Sequence, residues 1–328
     1  MTKGVFFCIM TVTFWALEYI AMKLIVSNWS IQPAIFVCVN LLCAAIVLLI
    51  VAGPGRLGLE TIKQPHTWAY SLLNVLNNVF FVLTVGLISA TEAAFVWRLS
   101  AVITLFVVWF FVGRRLPWTD WLGGLGVLLG CLIIMNGFDP MIQSLAIGIV
   151  LMGTISRTLL TTVIEFHPTS NQSRTIKEQC RTTGYVLIVT SATFLVAILG
   201  IASVAESYAD RNDLFGLLAR LMPATADFFD PATIWSAMAM GGILTSIYSY
   251  SQFVAARVAK SEVLMMASIF VPVITFGFEY IAQFAGYLTV SEIAPRTLAA
   301  GALIVASAVF MVFMRFRASR RDSVAPAV

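Results

Sequence analysis

Charged residues are scarce in this 328-residue chain: Asp, Glu, Lys and Arg make up 11% of it, against roughly a quarter in a soluble domain. Histidine occurs twice, at His66 and His167, and the five cysteines, Cys8, Cys38, Cys43, Cys131 and Cys180, include no CxxC pair. These shortages exclude whole classes of protein. A disulfide scaffold needs paired cysteines, and a zinc site needs clustered thiolates and imidazoles. There is also no glycine-rich phosphate loop and no histidine inside an apolar run, so neither catalysis nor a cofactor is expected. The net charge of +4 is scattered through short polar segments, so nucleic acid is not an expected partner. What abounds is apolar: 60% hydrophobic residues and a mean hydropathy of +0.93, the composition of an integral membrane protein.

A membrane helix takes about 20 mostly apolar residues. Ten such runs are present, at 4–26, 31–52, 67–87, 90–112, 119–137, 144–166, 183–205, 232–256, 261–286 and 295–316. The expected fold is therefore an all-α polytopic membrane protein with ten transmembrane helices. The first run carries Glu18 and is followed by Ser27-Asn28-Trp29 with no small-x-small cleavage site. It reads as a retained helix and not a signal peptide. One connection is long, 206–231, and its middle, 214–221, is expected to form an amphipathic helix on the membrane surface.

Basic residues mark alternate connections: Arg56 and Lys63; Arg114 and Arg115; Arg174, Lys177 and Arg181; Arg257 and Lys260; then Arg315, Arg317, Arg320 and Arg321 in the tail. The other connections hold Arg211, Arg220 and Arg296 against Asp139, Glu206, Asp210, Asp213, Asp227, Asp230 and Glu292. By the positive-inside rule both termini face the cytoplasm, across what is expected to be a bacterial inner membrane.

The plan of one stretch returns later in the chain. Ser261-Glu262 echoes Thr91-Glu92, and Val273-Ile274-Thr275-Phe276 echoes Val102-Ile103-Thr104-Leu105 after a one-residue gap at Pro272. Two halves of five spans, 1–138 and 139–328, must face opposite ways because five is odd, giving an inverted repeat. With its glycine-rich fifth run (Gly123, Gly124, Gly126, Gly130) and the matching Pro272 and Gly301, the chain resembles EamA-type members of the drug/metabolite transporter superfamily. Arg114 stands where many relatives carry Glu, and the 206–231 connection is unusual for them. The resemblance implies a secondary transporter working by alternating access, with export by proton antiport as the usual direction. In the first run, Leu17-Glu18-Tyr19-Ile20 followed by Met22-Lys23 is also similar to the first helix of small multidrug resistance transporters, whose membrane Glu binds a cationic drug or a proton.

A charge at a membrane helix centre costs about 2.5–3.5 kcal/mol on insertion scales, so such residues face a partner or a cavity. Three qualify: Glu18 beside Trp15 and Tyr19, Arg98 after Trp97, and Arg157. Either arginine could hold a solute carboxylate or phosphate, or serve as a structural ion pair or carbonyl clamp. Glu18 could couple proton movement or pair permanently with one of them. Lys23, about 140° around the helix from Glu18, is expected to snorkel outward. Polar stripes at Ser71, Asn74, Asn77 and Asn78, and at Thr245, Tyr248, Ser249 and Gln252, fit a cavity wall, with interhelical glue as the alternative. Glu279 and Gln283 are expected near the outer end, with Glu279 a gate or simply wet. Glu92 and Glu262 should stabilise helix N-termini, Trp118 and Trp121 should anchor at the interface, and Pro272 should kink its helix. Gly126 and Gly130, like Ala302 and Ala306, have the spacing of close helix contacts, either within the monomer or in a homodimer. The expected solute is small, polar, and anionic or zwitterionic, such as an amino acid. Efflux of lipophilic cations at Glu18 and a lipid-linked phosphate flippase are the alternatives.

Overall fold

The computed structural model describes residues 2–29, 31–138, 140, 143–206, 223–288 and 295–324. The 214–221 segment, Asp139, Asp210, Arg211, Asp213, Arg220 and Glu292 lie outside the described residues. So do the side chains of Glu206, Arg315, Arg317, Arg320 and Arg321. The helices run in chain order as α1 (Thr2–Asn28), α2 (Pro33–Ala52), α3 (Gly58–Lys63), α4 (Pro65–Leu87), α5 (Ala90–Val96), α6 (Leu99–Phe110), α7 (Trp118–Met135), α8 (Gln143–Glu165), α9 (Pro168–Gln172) and α10 (Ile176–Glu206). They continue as α11 (Pro231–Met240), α12 (Ser246–Ala259), α13 (Ser261–Ala267), α14 (Val271–Phe284) and α15 (Pro295–Val324). No strand occurs among the described residues. The protein is an all-α, polytopic membrane protein.

Punctuation by proline sets several boundaries. Pro33, Pro65, Pro168, Pro231 and Pro295 each open a helix, where the missing N–H is not needed. Among the described residues, nine helices are long and apolar enough to cross a membrane, taking 90–110 and 261–284 as continuous. The remaining expected run, 232–256, is helical from Pro231 to Ala259 but passes through a π-turn at Gly241–Thr245. The turn is pinned by Thr245, which donates to Asn40 Oδ1 of α2 at 2.9 Å.

The loops sort into two sets that meet only among themselves. At the end rich in basic residues, Arg114 bridges Glu165 and Glu262. There too Arg181 donates to the carbonyls of Ala52, Gly53, Pro54 and Arg56, and Arg257 to those of Ser170 and Ser173. At the opposite end Gln32 N–H reaches Thr233, Arg296 reaches the Gly137 carbonyl, and Glu279 accepts from Thr91. Lys23 does not snorkel outward as expected. Its Nζ donates to the carbonyls of Val85 at 3.0 Å and Ile88 at 2.9 Å, closing the C-terminal end of α4, where carbonyls lack helical donors.

Helix contacts follow a pattern that maps onto itself when the halves are exchanged. The pairs are α2 with α10, α7 with α15, α1 with α12, α4 with α8, and α5–α6 with α13–α14. The α7–α15 contact explains the glycines of the fifth run. A Cβ on Gly130 would lie 2.4 Å from Ile304 Cγ1 and 2.9 Å from the Ala300 carbonyl oxygen, and one on Gly126 would lie 2.1 Å from Ser307 Oγ. The glycine face is thus consumed within the chain, while Ala302 and Ala306 are exposed on the far side of α15. Trp118 is 78% exposed, and Trp121 packs edge-on against Phe106 and Trp109.

Gly130→Val should therefore overpack the α7–α15 seam at roughly 1–3 kcal/mol. A lowered melting temperature of the purified protein is expected, with Ala302→Val on the exposed side leaving it unchanged.

Candidate functional site

Arg157, on α8, is buried, and α8 packs against α4. Its guanidinium carbon lies 3.9 Å from the Trp15 ring centroid and 5.8 Å from that of Trp97. Cation–π contact operates over such distances and is stronger away from water. These ring contacts consume none of its N–H donors, and Arg157 Nε and Nη2 have no hydrogen-bond partner within the protein. Buried donors without partners are rare in folded proteins and call for an explanation. Gly153, one turn earlier on α8, makes room for Trp97: a Cβ there would meet the indole at 2.8 Å.

Glu18, on α1, faces the same space. It is buried and lies close to Arg157 and to Tyr248 on α12. Among the described residues no ion pair within 4.0 Å joins Glu18 to Arg157; the pairs formed are those of Arg114. Glu18 and Arg157 are therefore close enough to interact but not neutralised by direct contact. Tyr70, which the sequence pattern did not single out, also lies within the field of Arg157. It sits on α4 four residues before Asn74, and Tyr70, Asn74, Asn77 and Phe81 fall on one helical face. Phe81 packs edge-on against both Tyr19 and Trp97, which fixes that face toward the centre.

The α4 stripe is only partly self-satisfied. Asn78 donates to the Asn74 carbonyl at 2.8 Å and to Asn74 Oδ1 at 2.9 Å. Asn74 Nδ2 and Asn77 Oδ1 have no protein partner, and neither does Trp97 Nε1. Ser71 instead faces α10, accepting from Thr190 at 2.8 Å. On α12, Tyr248, Ser249 and Gln252 are buried. Beside the Glu18 carboxylate, the centre presents four donor nitrogens without a protein partner (two on Arg157, one each on Asn74 and Trp97) and one amide oxygen without one, on Asn77. Such a balance suits an acceptor-rich, anionic group.

Arg98 lies elsewhere in the hydrogen-bond network. It is fully buried, and its Nε donates to the Ala94 carbonyl at 2.9 Å, its Nη1 to the Ser268 carbonyl, and its Nη2 to the Tyr19 hydroxyl at 3.3 Å. Of the two readings open for this residue, its contacts are those of a carbonyl clamp. Glu279 is 3% exposed and accepts from both the backbone N–H and the hydroxyl of Thr91, at the N-terminus of α5. It is a buried cap and not a wetted side chain. Glu92 forms a capping box with Ser89, as its position suggested, whereas Glu262 pairs with Arg114 at 2.8 Å.

With this geometry in view, the comparisons are informative. Residues 2–136 match the EamA-like transporter family. That match likens the first part of the chain to the EamA-type drug/metabolite transporters and supports a membrane transporter of that type. No curated protein matches the sequence significantly. A protein known from a crystal structure, with no function in its description, is similar at 14% identity and a TM-score of 0.62, over 95% of this chain and 98% of that one. That likeness concerns the fold alone.

The two histidines, far apart in sequence, meet at the basic end of the bundle, with ring centroids 6.2 Å apart. His167 is fully buried, its ring nitrogens 3.1 Å from the hydroxyls of Thr67 and Thr169. Burial, with a smaller contribution from His66, pushes its pKa down from 6.5 to about 4. The unfolded chain then binds the extra proton between about pH 6.5 and pH 4 while the folded chain resists it. Stability conferred by neutral His167 is full above pH 6.5 and falls as pH drops toward 4, by up to about 3 kcal/mol. His167→Gln is expected to flatten the fall of melting temperature with acidification across that window, while lowering the melting temperature at neutral pH.

Proposed function

We propose that this transporter moves a small polar solute carrying a carboxylate or phosphate, anionic or zwitterionic and amino-acid-like, by alternating access. The carrying observation is the pair of unpartnered N–H donors of buried Arg157. A solute oxygen could satisfy both, and hydrogen bonds to a charged group contribute about 1.5–3 kcal/mol each. Asn74 and Asn77 add a donor and an acceptor, Trp15 supplies an aromatic wall, and Tyr248 and Gln252 border the site from α12. Glu18 is the proton-coupling carboxylate in this reading. It lies within the field of Arg157, and no direct salt bridge ties it up.

Alternating access would come from two inverted five-helix halves, 1–138 and 139–328, rocking about the centre. The exchange-symmetric helix pairing supports that reading, and 231–259, whose ends contact opposite ends of the bundle, is taken here as a tenth crossing. Both termini then lie on the basic, cytoplasmic side of the inner membrane, and export in exchange for protons is the direction taken. Glu279, bonded to the α5 N-terminus, acts as the latch at the outer end. Arg98 is assigned to holding helices and not solute.

Reconstituted vesicles loaded in turn with radiolabelled L-amino acids, succinate, glycerol 3-phosphate and ethidium test the proposal. Flux of an anionic or zwitterionic solute is expected. Arg157→Gln should weaken its apparent affinity about 10- to 100-fold, and Glu18→Gln should abolish the response to a pH gradient. Flux confined to ethidium, lost in Glu18→Gln and intact in Arg157→Gln, would establish cation efflux instead.

A further inference from the structure

Two of the membrane-spanning segments are broken at repeat-related positions, and the breaks touch. The α5–α6 segment is interrupted at Trp97–Arg98, seven residues after Ala90, and the α13–α14 segment at Ser268–Phe270, seven residues after Ser261. In the register that pairs Thr91-Glu92 with Ser261-Glu262, the counterpart of Arg98 is Ser268. It is the Ser268 carbonyl that Arg98 Nη1 contacts.

The chemistry of each break explains the contact. Pro272 has no N–H, so the Ser268 carbonyl loses its α-helical donor. It takes a tighter bond from the Val271 N–H, and its second lone pair is left for Arg98. On the other segment neither Pro nor Gly is present. There the Arg98 N–H turns to the Phe95 carbonyl at 3.0 Å, and the Ala94 carbonyl it would have served accepts Arg98 Nε. The side chain of Arg98 thus stands in for missing backbone donors on both segments, in a bilayer where no water can do so. Trp97, its neighbour, lies against Gly153 of α8 and faces Arg157. The third Arg98 contact, to Tyr19 on α1, reaches the helix that carries Trp15 and Glu18.

We propose that Arg98 and Pro272 are positioning residues for solute binding: the joint they form between the two broken segments sets the Trp15–Trp97 cradle that leaves the donors of Arg157 free. This rests on the reading of Arg157 as the solute-binding group, but its test needs no solute. Any movement of one broken segment past the other would re-aim the cradle, so the joint couples helix motion to the state of the site.

The experiment is fluorine NMR of the full chain labelled with 5-fluorotryptophan, whose eight tryptophans give resonances assignable through Trp15→Phe and Trp97→Phe. Arg98→Lys keeps the charge but cannot span Ala94, Ser268 and Tyr19 together. Pro272→Ala returns an N–H donor to the Ser268 carbonyl. Both variants are expected to displace the Trp15 and Trp97 resonances by more than a linewidth, leaving those of exposed Trp118 and Trp235 in place. Arg257→Lys, whose native bonds lie at the basic end, should move neither Trp15 nor Trp97. If Arg98→Lys fails to fold, Pro272→Ala decides alone. A Trp15 resonance unchanged in the folded variant or variants would overturn the proposal. Absence of solute flux in vesicles would refute the transport reading while leaving this result intact.

Discussion

Everything in this bundle answers to one constraint: a backbone donor or acceptor inside hydrocarbon must find its partner within the protein. Unbroken helices meet it by themselves, and most of this chain is built of them. Where the helix breaks, an unusual side chain appears. Arg98 repairs two breaks at once, Lys23 closes the end of α4, and Glu279 takes the Thr91 N–H in the first turn of α5. Charged residues here are expensive to bury. Those with backbone work are accounted for locally, which isolates the ones that are not. Arg157 and Glu18 stand out because the same accounting leaves them without a full set of partners.

The symmetry of the chain is legible in these repairs as well as in the helix pairing. Thr91 and Ser261 head repeat-related segments at opposite ends of the bundle. Each offers its N–H and hydroxyl to a buried carboxylate, Glu279 for Thr91 and Glu165 for Ser261. Departures from symmetry are equally informative. Arg114 joins Glu165 and Glu262 only at the basic end, while the opposite end has Lys23 bonded to carbonyls. Backbone capping closes both ends, and among the described residues the basic end adds an ion-pair network partly open to water. Screening by salt weakens that network far more than the capping.

Much of the fold was readable in advance because apolar run length and proline placement are local signals. Nine of the ten expected runs correspond to apolar helices whose ends fall within a few residues, apart from the earlier start of α10 and the farther reach of α15. The misses share a physical cause. Short α3 and α9 carry no hydrophobic period of their own; α3 is held by Arg181 and by Tyr185 packed on Gly58, and α9 by Arg257 and Thr61. The break at Trp97–Arg98 has no Pro or Gly to announce it, since its cause is a side chain bonded 170 residues away. Lys23 looked like a snorkelling lysine because the α4 carbonyls that receive it are distant in sequence.

The candidate site was legible as a set of residue types but not as an assignment of roles. Either arginine could hold a solute on sequence grounds, with Arg157 the stronger candidate, and the count of occupied donors separates them: three of the Arg98 nitrogens have protein acceptors, while two on Arg157 have none. Tyr70 escaped notice because tyrosine in an apolar run is unremarkable; its place one turn before Asn74 was the available signal. Polarity alone cannot find such a site, since a buried polar residue is either satisfied or waiting. The difference lies in tertiary partners, which for Arg98 include a carbonyl 170 residues away.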